Sequence, residues 1–420
     1  MTRTVSALRP LSFFALFALA ALVAAPAEAV RRRAFATSIS GTGNLASWPG
    51  ASGATALDKA DAICRARAAA AGLPNATTYR AWLSTAAADA YCHVQGLAGQ
   101  KSNDCNGSPQ PGAGPWFLAN GLSNFTGELD ELTGPERKIY RPVLVDEFSV
   151  LVDPLAARVW TGTAPDGAAA TSRCADWSSS ANAAFGMMGS AVASASAWTM
   201  NSGEACNLAA RLLCVEPGAS EEVVFGWSPG AMVFVASQTG TGKLSTWPSA
   251  GGATGIAAAD QVYRTLAAAE HLPAADSFVA WISDSSVAAI DRITVNGPFR
   301  RLDGYTVANN RAGLVSSGLF NSIHVDEKGR HATSSGTAWT GTFADGTAST
   351  NHCLDWTDDS FGEDGHAGYF SFPRTGRWTN GSDWSCSGTG RRLYCISNVV
   401  TLFWDGFESG NAGAWSAAIP

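Results

Sequence analysis

The sequence predicts an α+β fold built twice in one chain, and three observations lead there. The chain repeats itself. Each copy carries one Ala-rich stretch with the composition of a helix. The remainder breaks into short alternating apolar runs separated by Gly-, Asp- and Asn-rich loops.

The repeat is direct. "FATSISGTGNLASWPG…" from Phe35 and "FVASQTGTGKLSTWPS…" from Phe234 align without gaps over 35–84 and 234–283, with 24 identities in 50 positions at an offset of 199. Further on, Gly114-Pro115 meets Gly297-Pro298 at an offset of 183, so the first copy holds sixteen extra residues (199 − 183) after Trp82. "VDE" at 145–147 then meets "VDE" at 325–327, and "VWTGTAPDG" at 159–167 meets "AWTGTFADG" at 338–346. "CADW" at 174–177 meets "CLDW" at 353–356, and the copies close on "RLLCVE" and "RLYCIS". The domains are expected at 33–217 and 232–398, joined by a linker over 218–231 rich in Gly, Ser and Pro and followed by a tail over 399–420.

Within each copy the elements follow in order. Thr55 stands as N-cap to a helix over 56–71, which Gly72 and Pro74 stop. "TYRAWLS" and "SFVAWIS" alternate like strands, with Tyr79, Ala81 and Leu83 on one face. "RVWTGT" and "RLLCVE" read as further short strands, and Asp146-Glu147 falls where a hairpin reverses.

The start of the chain predicts export. Arg3 and Arg9 precede the apolar run Leu11–Ala25, and Ala27-x-Ala29 is a signal-peptidase pattern, so residues 1–29 read as a signal peptide. The run is short for a membrane span, which takes about 20 residues, and no later stretch is apolar enough for one. Removing Arg3, Arg9 and Glu28 moves the formal charge from −7 to −8 (−7 − 2 + 1). An acidic chain argues against nucleic acid as a partner, because that binding rests on neutralising phosphates. Export permits disulfides.

Nine cysteines leave at least one unpaired. Cys92 and Cys105 fall in the sixteen-residue excess, and the simplest pairing joins them to each other. Cys174 and Cys206 match Cys353 and Cys386, suggesting one shared bridge per copy. Cys214 matches Cys395; Cys64 remains for Cys214, but the position matching Cys64 in the second copy is Tyr263, which leaves Cys395 as the expected free thiol. Spacing alone does not prove this connectivity.

The string "ADAICRARAAAAGLPNATTYRAWLS", followed by "VWTGTAPDG", "CADW" and "RLLCVE", resembles the endostatin domain released from certain collagens, and more closely its secreted bacterial relatives. The resemblance covers both copies nearly end to end. It implies a C-type-lectin-like fold with two nested disulfides, carried over here as Cys64–Cys214 and Cys174–Cys206, with Cys353–Cys386 in the second copy. It also implies extracellular protein or glycan recognition. The zinc site of vertebrate endostatins uses N-terminal histidines, which "VRRRAF" lacks.

A catalytic site in the ancestral unit leaves matching residues in both copies. Histidine does not: His93 falls in the excess specific to the first copy, and His271, His324, His331, His352 and His366 lie in the second. No Ser-His-Asp or Cys-His set is present twice. The shared acids are Asp61/Asp260, Asp146-Glu147/Asp326-Glu327, Asp166/Asp345 and Asp176/Asp355. Carboxylate pairs hydrolyse glycosides, but Asp-Gly turns and helix positions favour structural roles for these. The acidic loop Asp355 to His366 offers oxygen ligands suited to Ca²⁺ without EF-hand spacing, and "TGTGKLS" fails the phosphate-loop pattern. The arginine clusters Arg31–Arg33, Arg300-Arg301 and Arg391-Arg392 read as solvated. The expectation is a secreted, non-catalytic binding or adhesion protein with no cofactor and no metal site. A carboxylate-dependent glycoside hydrolase and a structural component of envelope or matrix are the alternatives.

Overall fold

The computed structural model describes residues 1–2, 30–223, 225–316 and 318–402. Nearly all of the expected signal peptide and of the expected tail lies outside the described residues.

The described chain is α+β and mostly sheet. In the N-terminal half the strands are β1 (Arg32–Ala36), β2 (Arg80–Ala81), β3 (Trp116–Leu118), β4 (Asn124–Thr126), β5 (Arg158–Trp160), β6 (Phe185–Ser190), β7 (Ser202–Ala205) and β8 (Arg211–Val215). They form one sheet in the order β4-β3-β1-β8-β5-β6-β7, with β2 also on β8. In the C-terminal half they are β9 (Gly230–Val235), β10 (Phe278–Ala280), β11 (Phe299–Arg301), β12 (Thr306–Ala308), β13 (Thr337–Trp339), β14 (Asp364–Tyr369), β15 (Ser382–Ser385) and β16 (Tyr394–Thr401). These form a five-stranded sheet, β10-β16-β9-β11-β12, and a three-stranded one, β13-β14-β15. A single bridge, Ala338 to Arg392, replaces the ladder that joins β5 to β8 in the first half.

Register is shared at the centre of each half. Phe35 pairs with Cys214, and Phe234 with Cys395. β9 begins two residues ahead of the expected domain start, and β16 runs past the expected end, pairing Val400 with Ala231 and Thr401 with Gly230.

The first long helix, Ala56–Ala70, starts at a capping box. The Thr55 side chain accepts from the Asp58 N–H, and the Asp58 carboxylate accepts from the Thr55 N–H. Its buried residues, Ala60, Ile63, Cys64 and Ala68, recur at helical spacing and lie against the sheet. The second long helix, Gly255–Ala269, buries Ala259, Val262, Tyr263 and Leu266 in the same way, but Thr254 makes no side-chain cap bond.

Tryptophans fill both cores in matching geometry. Trp82 packs on Trp198 and Trp281 on Trp378, each at 4.9 Å and 39°. The indole N–H groups of Trp82 and Trp281 donate to Thr199 and Thr379 at 2.9 and 2.8 Å. Disulfides join Cys64 to Cys214, Cys92 to Cys105, Cys174 to Cys206 and Cys353 to Cys386. Cys395 is a buried free thiol.

The sixteen-residue excess sits later than the sequence suggested. Ala90 N–H donates to Ser84 Oγ as Ala289 N–H does to Ser283 Oγ, and Tyr91 and Ile290 make corresponding bonds to Gly167 and Gly346. The offset of 199 therefore persists through this turn. Cys92 and His93 stand opposite Asp291 and Arg292, and of the pair Cys92–Cys105 only Cys105 belongs to the inserted segment. Sequence identity fades after Ser84, which hid the continuing register.

Candidate functional site: a cleft where the two halves meet

The shared acids are tied into the scaffold one by one. Asp61 Oδ1 accepts from Ala81 N–H and Asp260 Oδ1 from Ala280 N–H, both at 2.9 Å, pinning each long helix to the following strand. Their charge is met differently: Asp61 pairs with Arg65 at 3.2 Å and has His93 Nε2 at 2.9 Å, whereas Arg292 Nη2 reaches both oxygens of Asp260 at 2.7 Å. Asp146 and Asp326 accept two backbone N–H groups each at their reversing turns. Glu147 accepts from Ser38 and Arg67, and Glu327 from Ser237. Asp166 and Asp345 close Asp-Gly turns.

Asp176 accepts from Ala86 N–H and from Arg173, and Asp355 from the Ser285 N–H and hydroxyl at 2.8 Å. These last bonds hold the Asp355 carboxyl below its usual range, with the Ser285 N–H the largest cause. In the acidic loop, Asp358 accepts from Ser360, and His366 is held by Asp383 and Asn380. Among the described residues no group of three His, Cys, Asp or Glu side chains is placed to hold a metal.

The arginine clusters are only partly solvated: Arg31 is exposed, but several of its fellows find partners or are enclosed. Arg32 pairs with Glu216 at 2.6 Å, and Arg391 lies between the Trp339 and Trp384 rings at 4.7 and 4.6 Å. Arg301 is fully buried. Its charge partner, Asp303, stands two residues on and was in view, but sequence reasoning had no signal for the burial, which needs Tyr140 from the other half.

That burial leads to the contact between halves. Arg301, at the end of β11, is held by the Asp303 carboxylate at 2.9 and 2.5 Å. It also donates to Ser322 O, to His324 Nδ1 at 3.1 Å, and across the contact to Tyr140 O at 2.5 Å. The bond from Arg301 makes His324 Nδ1 an acceptor, so Nε2 carries the proton and donates to Ile139 O at 2.8 Å. His331 Nδ1 lies 3.3 Å from the same Nε2. Burial, then the Arg301 and His331 charges, push His324 well below the usual imidazole range. Burial pushes His331 down to about 4 against the pull of Asp303.

Serines complete the seam. Ser322 donates to Ser194, and Ser196 and Ser335 exchange side-chain and backbone bonds. Ala193 and Ala197 pack on Phe372.

Beside this seam opens a cleft of about 360 Å³. Leu122, Asn124 and Arg141 line it from the first half, Phe225 from the connector, and Tyr305 and Phe320 from the second half. Tyr305 stacks on Tyr140 at 5.7 Å and 8°, and Phe225 meets Tyr140 at 4.6 Å and Tyr305 at 5.6 Å. Phe225 and Phe320 stay exposed, each at 42%. Asn321, buried at the base, accepts from Arg141 Nε at 3.3 Å and donates to Thr306 O at 2.7 Å.

None of these residues stood out in sequence as a site. The one legible signal was an aromatic pair, Phe225 and Trp227, inside a segment whose Gly, Ser and Pro content reads as a bare linker.

No helix among the described residues is long and apolar enough to cross a membrane, and four disulfides fit an oxidising compartment. No protein-family model matches the chain, and no curated protein matches it.

Proposed function

We propose that this chain is a secreted, non-catalytic recognition protein made of two endostatin-like copies of C-type-lectin-like fold, and that it binds an extracellular glycan in the cleft between them. One observation carries the reading. The carboxylates shared by the two halves are all engaged in local bonds, while two exposed aromatic rings, Phe225 and Phe320, meet the amide side chains Asn124, Asn309 and Asn321 in one cleft. Exposed rings flanked by a few polar groups suit the apolar faces and hydroxyl rims of sugars.

The test is a glycan and matrix-protein binding screen on the mature protein, with Phe225→Ala and Tyr305→Ala variants. Glycan binding lost in both variants, with unchanged thermal unfolding, is the expected result. Hydrolysis of a polysaccharide that disappears in Asp176→Asn or Asp355→Asn would overturn the reading, as would binding to matrix protein alone.

A further inference from the structure

The cleft has two charged residues among its described lining, Arg141 and Asp303. Asp303 is neutralised in place by the buried Arg301. Arg141 is not neutralised. Its Nε is taken by Asn321, and its two Nη atoms have neither a carboxylate nor a hydrogen-bond acceptor among the described residues. The surroundings make that charge costly. Burial pushes the Arg141 guanidinium down from its ordinary range, and Arg301 and Arg374 add like charge nearby. Arg374 likewise has no carboxylate within ion-pair distance among the described residues.

A partly desolvated guanidinium without a counter-ion gains from an incoming anion, and a planar carboxylate matches its two parallel N–H vectors better than any other common acceptor. A densely sulfated chain fits less well. Such ligands bind by neutralisation at many cations, whereas this cleft offers one free guanidinium on a chain of net charge −7.

We propose that the cleft selects a carboxylate-bearing, unsulfated oligosaccharide, a uronic-acid glycan, with Arg141 as the residue that reads the acid. Phe225 and Phe320 face the ring, and Asn124 from the first half and Asn309 from the second line the cleft to meet hydroxyls. This rests on the glycan reading above and adds the acid specificity to it.

Titration calorimetry at low salt tests it with three probes: a galacturonic acid hexamer, its methyl ester, and a heparin hexasaccharide. The acid is expected to bind, and the ester to bind roughly 10–100-fold more weakly, the worth of a charge-assisted pair. Arg141→Gln is expected to remove the difference between acid and ester, and Arg141→Lys to restore part of it. Should Arg141→Gln fail to fold, the acid–ester comparison on the unaltered protein decides alone. Equal binding of acid and ester, with Phe225→Ala still abolishing both, overturns the acid specificity and leaves the glycan reading standing. Tighter binding of heparin than of galacturonate also overturns it. No binding of any sugar overturns both.

Discussion

Tyr263 and Cys395 occupy the places that Cys64 and Cys214 hold in the first half, and the replacement is imperfect in a measurable way. The Tyr263 ring packs edge-on against Phe234 at 5.9 Å, but its hydroxyl is buried with no hydrogen-bond partner. A buried orphan hydroxyl costs about 1–3 kcal/mol. Tyr263→Phe is therefore expected to raise stability by roughly 1 kcal/mol in urea unfolding. Burial pushes the Cys395 thiol up, with the charges of Asp260 and Glu327 adding to it, so the thiolate is scarce as well as inaccessible. Maleimide should leave the native protein unlabelled and modify one cysteine after unreduced denaturation; prompt native labelling would contradict this placement.

At the level of elements, the two long helices differ at their first turns. The capping box of Thr55 and Asp58 has no counterpart at Thr254, since Ala257 stands where Asp58 does. Thr55→Ala is expected to cost about 1 kcal/mol and Thr254→Ala close to nothing, measured by chemical denaturation. The helices also differ in how they are fastened. Cys64–Cys214 spans 150 positions and is worth about 4–5 kcal/mol on a chain-entropy estimate. Replacing both cysteines by Ala should bring the first half's unfolding below or level with the second; an unchanged midpoint would show that the bridge is redundant with packing. These features were largely legible in sequence. Thr55, the Ala-rich run, Gly72 and Pro74 outline the first helix, and the observed span ends one residue short of the expected 71. The strand at Ala81 follows from alternation, and the one at Leu212 from a short apolar run between loops. The arginines misled because composition reports charge and not burial: Arg301 has Asp303 two residues on, but it is enclosed only when Tyr140 arrives from the other half, and Arg391 only when Trp339 packs against it.

At the scale of the whole molecule the cleft was illegible for the same reason. Arg141 and Asn321 are 180 positions apart, and no local pattern announces that two surfaces will meet. The seam also carries a pH dependence. His324 and His331 are buried neutral, with folded pKa values below the unfolded value of about 6.5. The unfolded chain binds more protons between those values, so stability is full above pH 6.5 and falls as pH drops towards 4. Protonating His324 at Nδ1 would set two cationic donors, itself and Arg301, against each other at 3.1 Å. His331 alone is expected to remove on the order of 3 kcal/mol across this window. Thermal unfolding between pH 7.5 and 4 reads this loss, and His331→Leu, matching Leu151 in the first half, should flatten it. A slope unaffected by that substitution would place the acid sensitivity elsewhere.

The bond between Arg141 and Asn321 has one more consequence. The offset of 180 that matches the two "VDE" turns also matches these two residues to each other. A position touching its own counterpart is the kind of contact found at the two-fold axis of an isologous dimer. Two separate identical chains meeting this way would set arginine against arginine, or asparagine against asparagine. Covalent linkage of the halves lifts that constraint and lets one position hold a cation while the other holds its acceptor. Neither half is then a portable module. Exchanged alone into another protein, it would carry one wall of the cleft and lose the asymmetry that leaves a guanidinium facing solvent.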